Sequence, residues 1–377
     1  MNSLSCKTIC SIASKAVILL FFCGAFLNLK AEVRITDATT GQPLPKASLF
    51  DKFGLFIGVA DDKGVVPSTI SNLSYPLNIR YVGYQPIEVA SPDAGIVGMQ
   101  ESTYDLPEIV VDDVARNLLY LQAFVRDFTT LEDANDTLGH YTEQIVDYVI
   151  PIGKKAKFKG WKKPRTLATK TYKQIKAERK NKSVDSLSYN ENYQKFSPGF
   201  SITDKFVMPT PIAAGEVTEY VIDGKYSPEE KWFVIGDNYI VEKDAMSDYK
   251  DHYFQPAFLK MFAASAAMSK NESRYKFEKG DKAPGVENLV EASLTWDMIL
   301  KGKLFKKLSQ ASDDSKINDY AEMFIIDRAY LTAEEAKDLK KNPPVIESDF
   351  KIPSGIPAPP AEIQKLKEKA KKNGNKH

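Results

Sequence analysis

The sequence predicts an N-terminal all-β sandwich followed by an α+β domain with a mainly antiparallel sheet. Two observations carry the first part. Between Glu32 and Val111 short apolar runs alternate with polar residues, and no helical period appears. Gly, Pro and Asp punctuate these runs as turn residues do. The third observation concerns the rest of the chain, where alternating runs joined by Asp-Gly and Gly-Asp-Asn turns are mixed with a few patches of helical spacing.

Residues 1–31 are expected to be a signal peptide. Lys7 and Lys15 form a basic start, and Ala16 to Leu27 is an apolar run of twelve residues, short for a membrane span. Cleavage is expected near Ala31. Cys6, Cys10 and Cys23 are the three cysteines, and all lie in this segment. A chain cut near Ala31 therefore offers no disulfide, thiol nucleophile or cysteine-held metal. Its 346 residues (377 less 31) suffice for two domains with good cores. The cut also removes three lysines and no acid, leaving 48 basic against 50 acidic residues. Such balance argues against a dedicated nucleic-acid binder.

Residues 32–112 read as the sandwich. "VRITD" alternates as a half-buried strand, and "ATTGQPLP" is turn chemistry. "KASLFDKFG" and "LFIGVADDKGVV" read as strand, turn, strand, with a tight turn at Asp62, Lys63 and Gly64. "YPLNIRYVGYQPIEV" and "YDLPEIVV" add two β-rich runs.

"ITDATTGQPLPKASL", "GVADDKGVV" and "RYVGYQPIEV", in this order, resemble the carboxypeptidase regulatory-like domain. The resemblance covers Glu32 to Val111. It implies a small Ig- or transthyretin-like β-sandwich of the kind placed at the N-terminus of exported proteins of Gram-negative envelopes. It implies no peptidase activity. "LPEIVVDD" is similar to the segment before the plug of TonB-dependent transporters, but the residues left are too few for a barrel of about 22 strands.

Residues 113–345 read as the α+β domain, which carries no recognised family pattern. "ARNLLYLQAFVRDFTTL" has apolar residues at helical spacing and predicts a bridging helix. "HYTEQIVDYVIPI", "EVTEYVIDGKY", "EKWFVIGDNYIVEKD" and "DYAEMFIIDRAYL" predict strands. "PAFLKMFAASAAMS" predicts a short helix, and "LVEASLTWDMILKGKLFKKL" is ambiguous between the two states. Thr332 and Glu335 form a capping box that opens a helix. Residues 346–377, rich in proline and then lysine, predict a flexible tail.

His140-x-x-Glu143, with His252 112 residues later, matches the ligand spacing of the zinc carboxypeptidases. The reading is rejected. Residues i and i+3 of a strand point to opposite faces, and the parallel-sheet alternation of that enzyme is missing. No G-x-S-x-G, P-loop or G-x-G-x-x-G occurs. No cofactor, metal or catalytic residue is expected. Lys154 to Lys182 holds thirteen basic residues and one acid, interleaved with Phe158, Trp161 and Tyr172. Lys154, Lys155, Lys162, Lys163 and Arg165 are the candidate anion-binding residues. The bland alternative is that they face Glu216 to Asp251, which carries ten acids and four lysines. "DTL" and "DSL" make Thr137 and Ser186 candidate O-glycosylation sites.

The functional expectation is an exported, non-enzymatic protein of the periplasm or outer-membrane surface. Its sandwich would serve as an interaction or spacer module, and the second domain as a binding or scaffold unit. The partner would be an envelope protein, glycan or lipopolysaccharide, with membrane association but no span in the mature chain. The rival is an envelope hydrolase or glycan-processing enzyme, and its discriminator is a pair of converging carboxylates.

Overall fold

The computed structural model describes residues 32–70, 73–102, 116–133, 137–152, 158–176, 218–221, 229–235, 238–244, 252–254, 265–278, 285–302 and 314–374. The expected signal peptide, its cysteines and the "LPEIVVDD" strand lie outside these residues. The described chain is mostly β, with antiparallel pairing throughout its largest sheet and few helices.

The N-terminal part forms two small sheets. β1 (Arg34–Asp37) pairs in parallel with β6 (Ile96–Met99). β2 (Ser48–Phe50), β3 (Phe56–Val59), β4 (Leu77–Arg80) and β5 (Ile87–Val89) form an antiparallel sheet in the order β3-β2-β4-β5. Ile35, Leu49, Ile79, Val89 and Met99 come from both sheets and share one core. The β2–β3 hairpin turns at Asp51, whose carboxylate accepts from the Phe53 and Leu55 amides at 2.9 and 3.0 Å. The expected turn at Gly64 also exists, but it leads to a single bridge, Val65 to Arg34, and not to a further strand. Gly64 has φ +72°, and a Cβ there would sit 2.5 Å from the Ile35 carbonyl oxygen, so glycine is required.

The rest forms a ten-stranded antiparallel sheet. It comprises β7 (Leu118–Asp133), β8 (Thr137–Pro151), β9 (Trp161–Lys176), β10 (Thr218–Val221), β11 (Glu229–Ile235), β12 (Asn238–Asp244), β13 (His252–Phe254), β14 (Ser265–Glu278), β15 (Leu289–Lys301) and β16 (Asp314–Leu331). The order is β10-β11-β12-β14-β15-β16-β7-β8-β9, with β13 also paired to β14. Two helices follow, α1 (Ala333–Lys341) and α2 (Ala361–Gly374). No helix among the described residues is long and apolar enough to cross a membrane.

Three expectations are corrected here. The bridging helix is strand β7. Its odd residues Leu119, Leu121 and Ala123 enter one core, while its even residues Phe124 and Phe128 enter others on the opposite face. A strand buried on both faces carries apolar residues at both parities, which imitates helical spacing. The helix expected over "PAFLKMFAASAAMS" ends in β14 from Ser265 on, and its earlier residues are not among those described. The flexible tail is a packed strap. Ile356 is buried against Phe124, Ile145 and Phe324, with Ile346, Phe350 and Ile352 beside them. Ile363 of α2 is buried among Phe50, Phe56, Phe128 and Tyr320. The prolines that suggested disorder leave an extended backbone with few N–H groups, and basic side chains take its carbonyls: Arg126 donates to Pro357 O at 2.7 Å and Arg80 to Ala358 O at 2.9 Å. The capping box stands as expected, with Thr332 N donating to Glu335 Oε2 at 2.8 Å.

The large sheet has two unlike faces. One carries Leu121, Tyr148, Tyr275, Phe277, Trp296 and Met323 in a single apolar cluster. Tyr148 on β8 lies close enough to Tyr275 on β14 for the second phenol to disfavour ionisation of the first. The two strands are four places apart, about 19 Å in a flat sheet at about 4.8 Å per strand. The sheet therefore curls around this face, which is its concave side. The other, convex face carries charged residues and receives the N-terminal part and the C-terminal strap.

Candidate ligand site on the concave face

One row of the concave face is polar. Adjacent strands place Asn271, Trp296, Asp319, Thr129 and His140 opposite one another across β14, β15, β16, β7 and β8. Asp127, two residues before Thr129, shares its face. The Thr129 hydroxyl lies 2.7 Å from Asp127 Oδ1 and 2.6 Å from Asp319 Oδ1. A hydroxyl has one proton to donate. It can give that proton to one carboxylate only, so the other contact needs a carboxylic acid donating to the Thr129 oxygen. Asp127 and Asp319 also hydrogen-bond each other directly, and their burial disfavours two negative charges side by side.

The electrostatics agree. Burial raises both carboxyls above the usual range, and for Asp319 the neighbouring Asp127 adds to the effect. Asp319 is fully buried and Asp127 half-buried. The indole N–H of Trp296 faces the Asp319 carboxyl and favours its charged form. Yet Trp296 Nε1, Asp319 Oδ2 and Thr142 Oγ1 make no hydrogen bond of standard geometry among the described residues. Val125, Asp127 and Thr129 on β7, and Asn271 and Ser273 on β14, are half-buried, so the row is reachable along these strands.

The convex face spends its charges internally. Glu322 accepts from Arg80 Nε at 2.7 Å and from Arg126 Nε, and Tyr320 donates to it at 2.9 Å. Burial alone would raise Glu322, but Arg126 and Arg80 outweigh it and hold the carboxyl down to about 2. Tyr81 donates to Glu242, which also pairs with Arg274, and Arg274 reaches the Pro45 and Lys46 carbonyls at 3.0 and 2.9 Å. The nearby crevice lined by Lys46, Glu242, Asp244 and Glu272 is answered in the same way, with Lys46 3.1 Å from Glu272. These bonds fasten the N-terminal sheets to the large one.

The residues singled out by sequence fall elsewhere. His140 lies on the concave face, whereas Glu143 lies on the convex face, bonded to Tyr141 and Lys367. His252 is on β13, beyond β14, and its side chain is not described. Lys154, Lys155 and Ser186 lie outside the described residues, as do the side chains of Lys162, Lys163 and Thr137. Arg165 is engaged within the protein. Its Nε donates to Asp147 at 2.8 Å, its Nη1 donates to Leu339 O at 3.1 Å, and the guanidinium stacks on Trp161. Basic β9 and acidic β10 to β12 occupy opposite ends of the strand order, so they do not pair side by side in the sheet. Sequence reasoning missed Asp127, Thr129 and Asp319. The available signal was an acid set inside each of two apolar runs, "FVRDFTTL" and "INDYAEMF".

No family model matches the sequence, and no curated protein matches it. Among solved structures, lipovitellin, in a study of its lipid–protein interactions, aligns at TM-score 0.32 and 8% identity. The alignment covers 58% of this chain and 26% of that one, so the chain spans about a quarter of lipovitellin's length. A likeness at that score carries neither fold nor function.

Proposed function

We propose that this is an exported, non-enzymatic envelope protein whose curled sheet binds an amphipathic ligand on its concave face. The observation that supports this most is the polar row set in an otherwise apolar concave surface, with hydrogen-bonding atoms left without partners. The N-terminal part is read as a carboxypeptidase regulatory-like β-sandwich, serving as an interaction module held against the convex face. The signal peptide ends near Ala31, and the protein works in the periplasm or at the outer-membrane surface. Lys154, Lys155, Lys162 and Lys163 remain the residues for contact with lipopolysaccharide or an acidic glycan; Arg165 does not join them.

The test is binding of a neutral apolar fluorophore, N-phenyl-1-naphthylamine, to the purified mature chain. Saturable binding to one site, weakened by filling the concave face with Ala123→Trp in a still-folded protein, is expected. Absence of saturable binding removes the proposal.

A second reading draws on the same carboxyls. Two acids bonded to each other are equipped for acid–base chemistry, as an envelope hydrolase or glycan-processing enzyme requires. The full burial of Asp319 and Trp296 favours binding over hydrolysis. Turnover of envelope glycan fragments that is lost in Asp319→Asn would reverse this preference.

A further inference from the structure

One end of the large sheet, where β7 begins and β8 and β16 finish, gathers cations and exposed apolar residues. α1 packs on this end. Its Ala336 is buried with Leu118 and Val149, and Leu339 and Trp161 pack beside them. The Leu339 carbonyl accepts from Arg165 of β9 at 3.1 Å, which brings the last turn of α1 to the start of β9, the strand that carries Lys162 and Lys163. Lys337, Lys340 and Lys341 of α1 are exposed and make no ion pair among the described residues. The acids of α1 are used or set apart: Glu335 bonds Arg116 and the helix cap, Asp338 accepts from Asn342 at 2.9 Å, and Glu334 lies in the first turn. Glu347 and Asp349 lie beyond Val345, where the chain turns onto the convex face. The described residues expose three large apolar side chains, and two belong to this end. Val345, 95% exposed, follows α1 behind Pro343 and Pro344. Ile152, 40% exposed, follows β8, and its amide donates to Asn117 O at 3.1 Å.

Resting on the reading above that the basic segment faces an anionic envelope surface, we propose that this end of the molecule docks on an anionic lipid bilayer. Lys337, Lys340 and Lys341 meet the head-group phosphates, and Val345 and Ile152 enter the interface. Lysines in a last turn also answer the helix dipole, which accounts for Lys340 and Lys341 but not for a valine held in water. A soluble acidic glycan would take the lysines and leave Val345 unused. A protein interface needs a contiguous apolar patch of several hundred Å², and two side chains do not supply it. A bilayer takes cations at the level of its phosphates and apolar side chains just below them.

The test uses the full mature chain and vesicles of phosphatidylglycerol and phosphatidylcholine in equal parts, beside vesicles of phosphatidylcholine alone. Sedimentation with the anionic vesicles only, fading as salt rises, is expected. Each lysine near an anionic surface strengthens binding about fivefold, so Lys340→Gln with Lys341→Gln should weaken it about 25-fold at an unchanged melting temperature. A chain cut near Ala31 has no cysteine, so Val345→Cys accepts a single nitrobenzoxadiazole label. Its emission should brighten and shift to the blue on anionic vesicles. If the α1 double variant sediments like the parent while Lys162→Gln with Lys163→Gln does not, the basic segment binds alone and this inference falls while that reading stands. If the label stays in water on vesicles that carry the protein, or the chain binds a soluble acidic polysaccharide and no vesicle, the bilayer proposal is overturned. If neither vesicles, lipopolysaccharide nor polysaccharide retain the chain, both readings fall.

Discussion

Glu291 sits at the junction between the large sheet and the N-terminal part, where its carboxylate accepts from the Gly83 amide at 3.1 Å. Burial raises it, Lys276 opposes that, and Glu322 adds to it, leaving the group at about 7 against 4.5 unfolded. The native chain therefore holds a proton that the unfolded chain has lost between these two values. Stability falls as pH rises from about 4.5 to 7, and the deficit is complete above 7. Glu291→Gln keeps the carbonyl acceptor and removes the titration. The difference in unfolding free energy between variant and parent should grow in the variant's favour by about 3 kcal/mol from pH 4.5 to pH 8. Denaturant titrations at several pH values check this, and a pH-independent difference refutes it. Glu322 is the opposite case, because two guanidinium groups depend on it. Glu322→Ala leaves Arg80 and Arg126 buried without their anion and should cost about 3–5 kcal/mol, read as a lower denaturation midpoint.

At the scale of elements, the C-terminal strap makes the sharpest claim. Ile363 fills a space walled by the rings of Phe50, Phe56, Phe128 and Tyr320, and its side chain lies 3.1 Å from where a Gly54 Cβ would sit. Ile363→Ala should cost about 2–5 kcal/mol, whereas a flexible tail would lose nothing. Thermal unfolding of the two proteins side by side decides between them. This strap also shows how far the sequence could be read. β1 to β5, β8, β10 to β12 and β16 were legible from their local mix of apolar, β-branched and polar residues, and the α1 capping box was legible because its pattern is local, whereas β6 (Ile96–Met99) was not read as a strand. β7 was not, because its apolar residues Leu118, Leu119, Leu121, Phe124, Val125 and Phe128 fall at both parities and imitate helical spacing. The strap was not, because its order comes from arginines donated by distant elements. For the candidate site, two isolated acids in apolar runs were visible, but their meeting through Thr129 depends on the register of β7 and β16, which no local pattern records.

For the whole molecule, the question is whether the N-terminal part behaves as a module that can swing free. Its contacts argue for a fixed attachment. Phe50 packs edge-on against Phe128 of β7 at 4.9 Å and against Tyr320 of β16 at 5.6 Å between ring centres. Around this aromatic centre run bonds from Arg80, Tyr81 and Gly83 into β16, β12 and β15, and from Lys276 of β14 back to the Ser102 carbonyl. The contact is thus an apolar centre within a polar ring, and several of its charges are buried. Separating the two parts would strand Arg80, Glu322 and Arg274 without bonds that they make only in the joined state, a cost of several kcal/mol. The expected outcome is a single cooperative unfolding transition, with aromatic circular dichroism and amide exchange in both parts losing protection together. Phe50→Ala, which deletes the centre of the contact, should lower the stability of the large sheet by about 3–5 kcal/mol although Phe50 belongs to β2. An early transition confined to residues 32–102, or a Phe50→Ala protein whose large sheet melts unchanged, would mean that the N-terminal part hangs as a spacer and that the convex face is open to other partners.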